Sequence, residues 1–237
     1  RWALDAVRRE GACLIFCLVS SALRVCVAAQ AMGRDLNGVT FEVGGEPPTK
    51  AKVNTITATG AKCYPTYHFG ECGRVGMGCA RPVDCNDVHF FKDGLAMIQQ
   101  PRQVPGFDMT VNAFCFTTLL PTAPKLMLNV EIDDYGVVET RACGCPLENY
   151  GYTEHIREIR SFRKLTGEGV TLVGGEMLRV MEELLPARFG GTPLDYQLVE
   201  EEDEKGFTKL SLMISPRLSL PDEQTVIDTV LDALGQR

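Results

Sequence analysis

Histidine is scarce in this chain of 237 residues, with three in all, and tryptophan occurs once. No Ser/His/Asp or Cys/His/Asn set stands out, so a nucleophilic triad is not expected. Basic residues are the minority: 24 Lys and Arg against 31 Asp and Glu leave a net charge of -7. No basic stripe appears, and a nucleic-acid partner is therefore not expected. An uninterrupted apolar run of about 20 residues, the length that spans a bilayer, is also missing. The nearest stretch, Gly11 to Met32, carries Arg24 in its middle, so no membrane partner is expected. There are no repeats, no low-complexity segment and no N-terminal signal-peptide pattern. The chain opens Arg1-Trp2-Ala3-Leu4-Asp5 instead of at Met, which gives the expectation of a piece cut from something longer.

What is present is an ordinary globular balance, 45% hydrophobic and 23% charged. It suits one large domain, or one domain and a smaller one. Ten cysteines are many for a cytosolic chain and few for a disulfide scaffold of this size. The simplest expectation is the reducing cytoplasm, with the cysteines as thiols or metal ligands. Cys13, Cys17, Cys26, Cys63 and Cys115 lie in apolar runs and are expected in the core. The acidic run Glu200-Glu201-Glu202-Asp203-Glu204-Lys205 reads as a solvated turn tip.

Along the chain, Cys13 to Val19 reads as a buried strand and Ser20 to Met32 as a helix that Gly33 ends. Val39 to Val43 is a β-branched strand, broken by Gly44-Gly45-Glu46-Pro47-Pro48. A helix over Thr49 to Thr59 and a strand over Lys62 to Tyr67 follow. This alternation predicts an α/β layer with parallel strands and ligand-binding loops at their carboxyl ends. From Val88 the texture is β-rich, with strands expected at His89–Phe91, Leu95–Gln99, Thr110–Phe114 and Leu126–Val130. It reads as a β-subdomain packed on the α/β layer. Past residue 162 the pattern restarts: a strand at Val170–Val173, a helix at Gly175–Leu185, a hairpin of Asp195–Glu200 and Thr208–Ile214, and a last amphipathic helix from Asp222 to Leu234. The expected division is a core over residues 1–162 and a small α+β subdomain over 163–237.

Several constellations could carry chemistry. The Gly44-Gly45-Glu46 turn lets backbone approach a flat ligand. Tyr67 and Glu71 set an aromatic ring near a carboxylate, suited to stacking on a base and to Mg²⁺. Asn129 to Gly136 reads as a strand ending in the pair Asp133-Asp134 and a glycine turn, a fit for ribose hydroxyls. Arg160, Lys164 and Gly167 place basic groups at a hinge. Separately, Cys79, His89, Cys143 and Cys145 offer three thiolates and an imidazole, a set that suits closed, tetrahedral, structural zinc. Cys72 and Cys85 are nearby substitutes. Buried thiols without metal are the competing reading. His155, on a polar stretch, is expected at the surface.

In this order the pieces resemble the adenylate-forming enzyme superfamily, and within it the phenylacetate–coenzyme A ligase-like branch, over essentially the whole chain. Gly44-Gly45-Glu46-Pro47 resembles the loop that lies against adenine. Tyr67-His68-Phe69-Gly70-Glu71 resembles the motif whose Tyr contacts adenine and whose Glu holds Mg²⁺. It departs from that motif at His68, in place of Gly, and at Gly70, in place of a hydroxyl residue. Asp134 resembles the ribose-binding Asp, with Asp133 in place of the preceding Gly. Ile159 to Thr166 resembles the hinge, with Arg160 as a ribose or phosphate contact and the pivot near Lys164. Leu185 to Gly191 and Asp195 to Glu200 resemble a subgroup of the same branch, in which a Cys/His site also recurs.

The resemblance implies an acid–thiol ligase. A carboxylic acid, by resemblance aryl or arylacetic, reacts with ATP to give an acyl-adenylate, and coenzyme A then displaces AMP. ATP or AMP, Mg²⁺ and coenzyme A are the implied cofactors; Gly45, Glu46, Pro47, Tyr67, Glu71, Asp134, Arg160 and Lys164 are the implied contacts. The family's phosphate loop and its C-terminal Gly-Lys segment have no counterpart in this sequence, so the chain alone is expected to be inactive, with no catalytic residue assigned. The alternative function is a zinc-stabilised binding or scaffold module without catalysis. Transfer to a carrier protein instead of coenzyme A is a third. Oligomeric state is left open.

Overall fold

The computed structural model describes residues 1–104, 109–162, 164–167, 170–173, 177, 180–220 and 222–235. Helix α1 (Trp2–Glu10) was not anticipated. Its stop signal is Gly11, at φ 81°, whose N–H donates to the Val7 carbonyl at 2.8 Å. Strand β1 (Cys13–Cys17), helix α2 (Val19–Ala31), strand β2 (Val39–Val43), helix α3 (Lys50–Thr57) and strand β3 (Lys62–Phe69) then alternate. The three strands are parallel, in the order β1-β2-β3. Helix α2 buries Val19, Ala22, Leu23, Cys26 and Ala29, the spacing of one helical stripe. That stripe packs with Val39, Phe41 and Ile56 in the first core. The other face of β1 is bare, with Leu14 65% and Phe16 58% exposed.

The β-rich part is not stacked on this layer. It extends the same sheet edgewise. The second edge of β3 pairs antiparallel with β4 (Gly73–Gly78). Beyond it lie β5 (Val88–Phe90), β9 (Glu154–Ser161), β8 (Val130–Thr140), β7 (Thr110–Thr118) and β6 (Leu95–Gln103), all antiparallel. The whole is one sheet of nine strands. A second core joins Val75, Val88, Phe90, Phe114, Phe116 and Ile156.

Two local features have physical reasons. Gly76-Met77-Gly78 belongs to β4, where neighbours press on the backbone. A Cβ at Gly76 would lie 2.5 Å from the His89 carbonyl oxygen, and one at Gly78 2.8 Å from that of Pro65. The strand expected at Leu126–Val130 begins only at Val130. Leu126 and Leu128 are 92% and 78% exposed, and Met127 alone turns inward.

Towards the C-terminus, β10 (Lys164–Gly167) and β11 (Val170–Val173) form an antiparallel pair. A π-helical turn, Val180–Leu184, leads into the short helix α4 (Leu185–Phe189). Where it is described, the span expected as a helix over Gly175–Leu185 is helical, α at Met177 and Leu185 and π over Val180–Leu184; residues 174–176, 178 and 179 lie outside the described residues. Strands β12 (Tyr196–Glu202) and β13 (Thr208–Ile214) form the expected hairpin. Helix α5 (Glu223–Ala233) is capped by Asp222, which accepts from the Thr225 N–H at 2.8 Å. The π-helical turn, α4, β12, β13 and α5 share a third core around Val180, Leu185, Tyr196 and Val226. No described helix is long and apolar enough to cross a membrane.

The ring of Phe116 contacts the rings of Tyr67, Phe69, Phe90 and Phe114. Replacing Phe116 by Ala should lower stability by about 3–5 kcal/mol, measured by urea unfolding. Leu126→Ala, at an exposed site, should change it by less than about 0.5 kcal/mol.

Candidate functional site

The carboxyl end of β2 runs into Gly44-Gly45-Glu46-Pro47. The Gly44 N–H donates to the Cys17 carbonyl at 3.2 Å, which ties the loop to β1. Gly45 is at φ 78°, a conformation that glycine adopts without strain. A Cβ on Gly44 would lie 2.6 Å from the His68 ring. Glu46 is 4% exposed, and its two carboxylate oxygens accept from the Ser20 N–H and hydroxyl, each at 3.0 Å. Leu18, the N-cap residue of α2, supplies no side-chain cap. Glu46 thus completes the N-terminus of α2 from 26 residues away in sequence, where a negative charge is favourable.

Tyr67, on β3, donates its hydroxyl to Asp134 at 2.9 Å. Burial, and then the Asp134 charge, push this phenol well above its usual range. Asp134 does not end a strand. It sits in an irregular stretch of β8, between Asp133 at φ 64° and a register shift at Tyr135/Val137, and the strand continues to Thr140. Gly136 is required there, because a Cβ would lie 2.7 Å from the Arg157 carbonyl oxygen. Arg160, on β9, pairs in register with Tyr135.

A cleft of about 980 Å³ gathers Gly45, Glu46, Pro47, Tyr67, Asp134 and Arg160 in its lining. Glu71 stands apart, exposed in the turn after β3. It lines an adjoining cavity of about 310 Å³ with Lys125, Glu131 and Asp134. Asp134 and Phe69 border both spaces. Lys164 lies in β10 opposite Val173; its side chain is outside the described residues. The cleft is acidic: Lys50 and Arg160 face Glu46, Asp84, Asp134, Glu158, Glu200 and Glu202. Burial raises the pKa of Glu200; Lys52 opposes that shift and Glu202 adds to it.

The second site is built where β4, β5 and β9 meet. Cys79 follows β4, His89 lies on β5, and Cys143 and Cys145 precede the 3₁₀ turn Pro146–Tyr150. His155, expected at the surface, is 0% exposed and pairs with His89 across β5 and β9. The ligand atoms of Cys79, His89, Cys143 and His155 all lie within 4.8 Å of one another. Cys145 Sγ is 3.0 Å and Cys143 Sγ 3.8 Å from His89 Nε2. Five donors therefore converge. The Cys143-Gly144-Cys145 turn is held by Glu148, which accepts from the Cys143 N–H at 2.8 Å and from the Gly144 N–H at 2.5 Å.

The surroundings fix the imidazoles. His89 Nδ1 is 2.7 Å from the Tyr152 carbonyl oxygen, which can only accept, so Nδ1 carries the proton. His155 Nδ1 is 2.8 Å from Asp87, a wholly buried carboxylate that also pairs with Arg141 and accepts from the Val83 N–H. Arg141 Nη2 also lies 3.0 Å from that nitrogen, so Asp87 and Arg141 together hold the ring in place. Nε2 of His89 is turned to the Cys143 and Cys145 sulfurs, and Nε2 of His155 is buried without a hydrogen-bond partner among the described residues. Burial keeps His89 below its ordinary pKa. It also pushes the Cys79 thiol up to about 12. A bound cation would reverse the latter shift. This donor set, with carboxylate and carbonyl second partners, fits a soft, tetrahedral metal ion.

No protein-family model matches the sequence, and no curated protein matches it. Solved structures share the fold. Over 99% of this chain and 46% of the other, it superposes on the o-succinylbenzoate CoA synthetase of Bacillus subtilis, with TM-score 0.56 and 12% identity. An amide bond synthetase of Marinactinospora thermotolerans gives TM-score 0.54 and 14% identity, over 98% and 48%. An NRPS protein containing adenylation and PCP domains gives 0.50 and 12%, over 94% and 46%. The chain spans about half the length of these structures. At such identities the likeness establishes the α/β fold alone.

The Glu46–Ser20 anchor is testable. Glu46→Ala should cost about 1–2 kcal/mol of stability, as the loss of a helix cap does. Amide exchange at Ser20 to Leu23 should quicken. Glu46→Gln, which keeps one acceptor, should lose less.

Proposed function

We propose that the cleft between the Gly45 loop, β3 and β8 binds the adenosine part of a nucleotide, as one side of an AMP-forming acid ligase site. The observation that carries this reading is the meeting of Gly45, Pro47, Tyr67, Asp134 and Arg160 in one cavity. The glycine loop offers bare backbone to a purine. Tyr67 offers a ring edge, Asp134 an acceptor for ribose hydroxyls, and Arg160 a charge for phosphate. Glu71, Glu131 and Asp134 supply the hard oxygens that Mg²⁺ takes. Glu46 acts through the loop it anchors. Residues 1–162 would form this core and 163–237 the smaller unit, pivoting near Lys164.

In the whole protein the site would join a carboxylic acid, aryl or arylacetic, to AMP with release of pyrophosphate. The acyl group would then pass to the thiol of coenzyme A, or of a carrier protein, with release of AMP. Two cations against six carboxylates in the cleft lining make a poor grip on a triphosphate. The chain by itself is therefore expected to bind AMP and to release no pyrophosphate from ATP. Isothermal titration with AMP tests the binding. Tyr67→Ala and Asp134→Ala should each weaken it about tenfold or more, the usual effect of losing a charged hydrogen bond. Absence of AMP binding at millimolar concentration would overturn the reading.

The buried donors favour a second reading, a zinc-stabilised module, which is compatible with the first. Cys79, His89 and Cys143 would hold the metal, with Cys145 or His155 as the fourth ligand, and the ion would serve structure alone. Purified protein should contain about one zinc per chain, and chelation should lower its melting temperature. Cys79→Ser should abolish binding. Whichever of Cys145→Ser and His155→Ala weakens it more identifies the fourth ligand. Metal-free protein with an unchanged melting temperature would sink this reading.

A further inference from the structure

Lys52 is 3% exposed, although it lies in the first turn of the short helix α3. The groups that enclose it come from the β12–β13 hairpin. Its ammonium donates to the Thr208 hydroxyl at 3.0 Å and lies 3.7 Å from Glu202. Glu202 accepts from the Thr49 hydroxyl, at 2.7 and 2.8 Å to its two oxygens. Thr49 in turn caps α3, accepting from the Lys52 N–H at 3.4 Å. Gly206, at φ 89°, rests on the Lys52 backbone so closely that a Cβ would lie 2.8 Å from the Lys52 nitrogen. A buried ammonium is costly unless its partner stays in place. The burial of Lys52 therefore lasts only while the hairpin is seated and Glu202 is charged. The same strand lines the cleft with Glu200 and Glu202, opposite Gly45 to Ala51.

We infer that Glu202 is a latch: its contacts with Thr49 and Lys52 hold the β12–β13 hairpin across the mouth of the cleft, and their release opens it. The functional meaning of the opening rests on the nucleotide reading, but the latch is a property of the chain without ligand. An anionic ligand approaching along the Gly45–Ala51 wall meets two carboxylates while the hairpin is seated, so entry and release are coupled through charge. With the Glu202 side chain 25% exposed, salt weakens the contact from the solvent side.

Cys85 reports the state of the cleft that it lines. Its thiol is half-buried and donates to the Pro48 carbonyl at 3.2 Å. Burial, and then Asp84, raise it to about 11, so alkylation is slow in the closed state. The experiment follows Cys85 alkylation by peptide mass spectrometry, and amide exchange at Val53 to Ile56, on the full chain without nucleotide. Glu202→Ala should raise the alkylation rate about tenfold and quicken the exchange. Gly206→Val should do the same by steric displacement, and carries the test if Glu202→Ala fails to fold. Glu204→Ala, at the exposed tip, should leave both unchanged. Added salt should speed labelling of the wild-type chain and not of Glu202→Ala. Wild-type labelling and exchange in the folded variants would overturn the latch. A chain that opens as described but binds no AMP would keep the latch and reject the nucleotide reading.

Discussion

Strand β3 carries opposite hydrogen-bond partners on its two edges, and the rest of the architecture depends on this. One edge pairs parallel with β2 and the other antiparallel with β4. The parallel side needs crossover helices, which α2 and α3 supply. The antiparallel side needs no crossover helix: β5 pairs beside β4, and β9 returns beside β5 after β6, β7 and β8. The change of partner coincides with a register shift at Tyr67/His68. Such an irregularity re-aims side chains, and it falls where Tyr67 meets Asp134 from the far side of the sheet. The cleft exists because this one strand belongs to both halves.

The α/β start was legible because its signals are local. The apolar stripe of α2, the β-branched run of β2 and the Gly-Gly-Glu-Pro break act within a few residues. Helix α1 has similar signals, with Leu4 and Val7 inward and Gly11 as its stop, and was missed because its stripe is short. Strand β4 was not legible. Its glycines answer to Pro65 and to the His89 carbonyl, which only the fold brings near. His155 was hidden for a related reason: Glu154-His155-Ile156-Arg157 looks polar, but in β9 its histidine faces inward against Asp87. Of the eight residues the motif order named, six line the cleft, Glu71 lines the adjoining cavity and Lys164 lies in β10, and the order did not show their orientation. Glu46 turns its carboxylate to Ser20, and Asp134 sits in a bulge, not at a strand end.

Asp87 shows how one buried charge organises a site. It is wholly buried, yet Arg141, His155 and the Val83 N–H satisfy it. A buried carboxylate is tolerable only when paired in this way. Having met that requirement, it holds the His155 ring beside Cys79, Cys143 and His89. The Glu148 clasp on the Cys143-Gly144-Cys145 turn does the same from the opposite side. The cluster is thus held from outside, by groups that themselves bind nothing.

The three-residue strand β5 can be viewed as a mechanical joint. It is the narrowest seam of the nine-stranded sheet, with three residue pairs towards β4 and two towards β9. Everything from β1 to β4 hangs on one side of it, and β9 to β6 on the other. The sulfur and imidazole donors straddle this seam. A metal ion there would act as a rivet, and without one a pull across the sheet would part it first at His89 and His155.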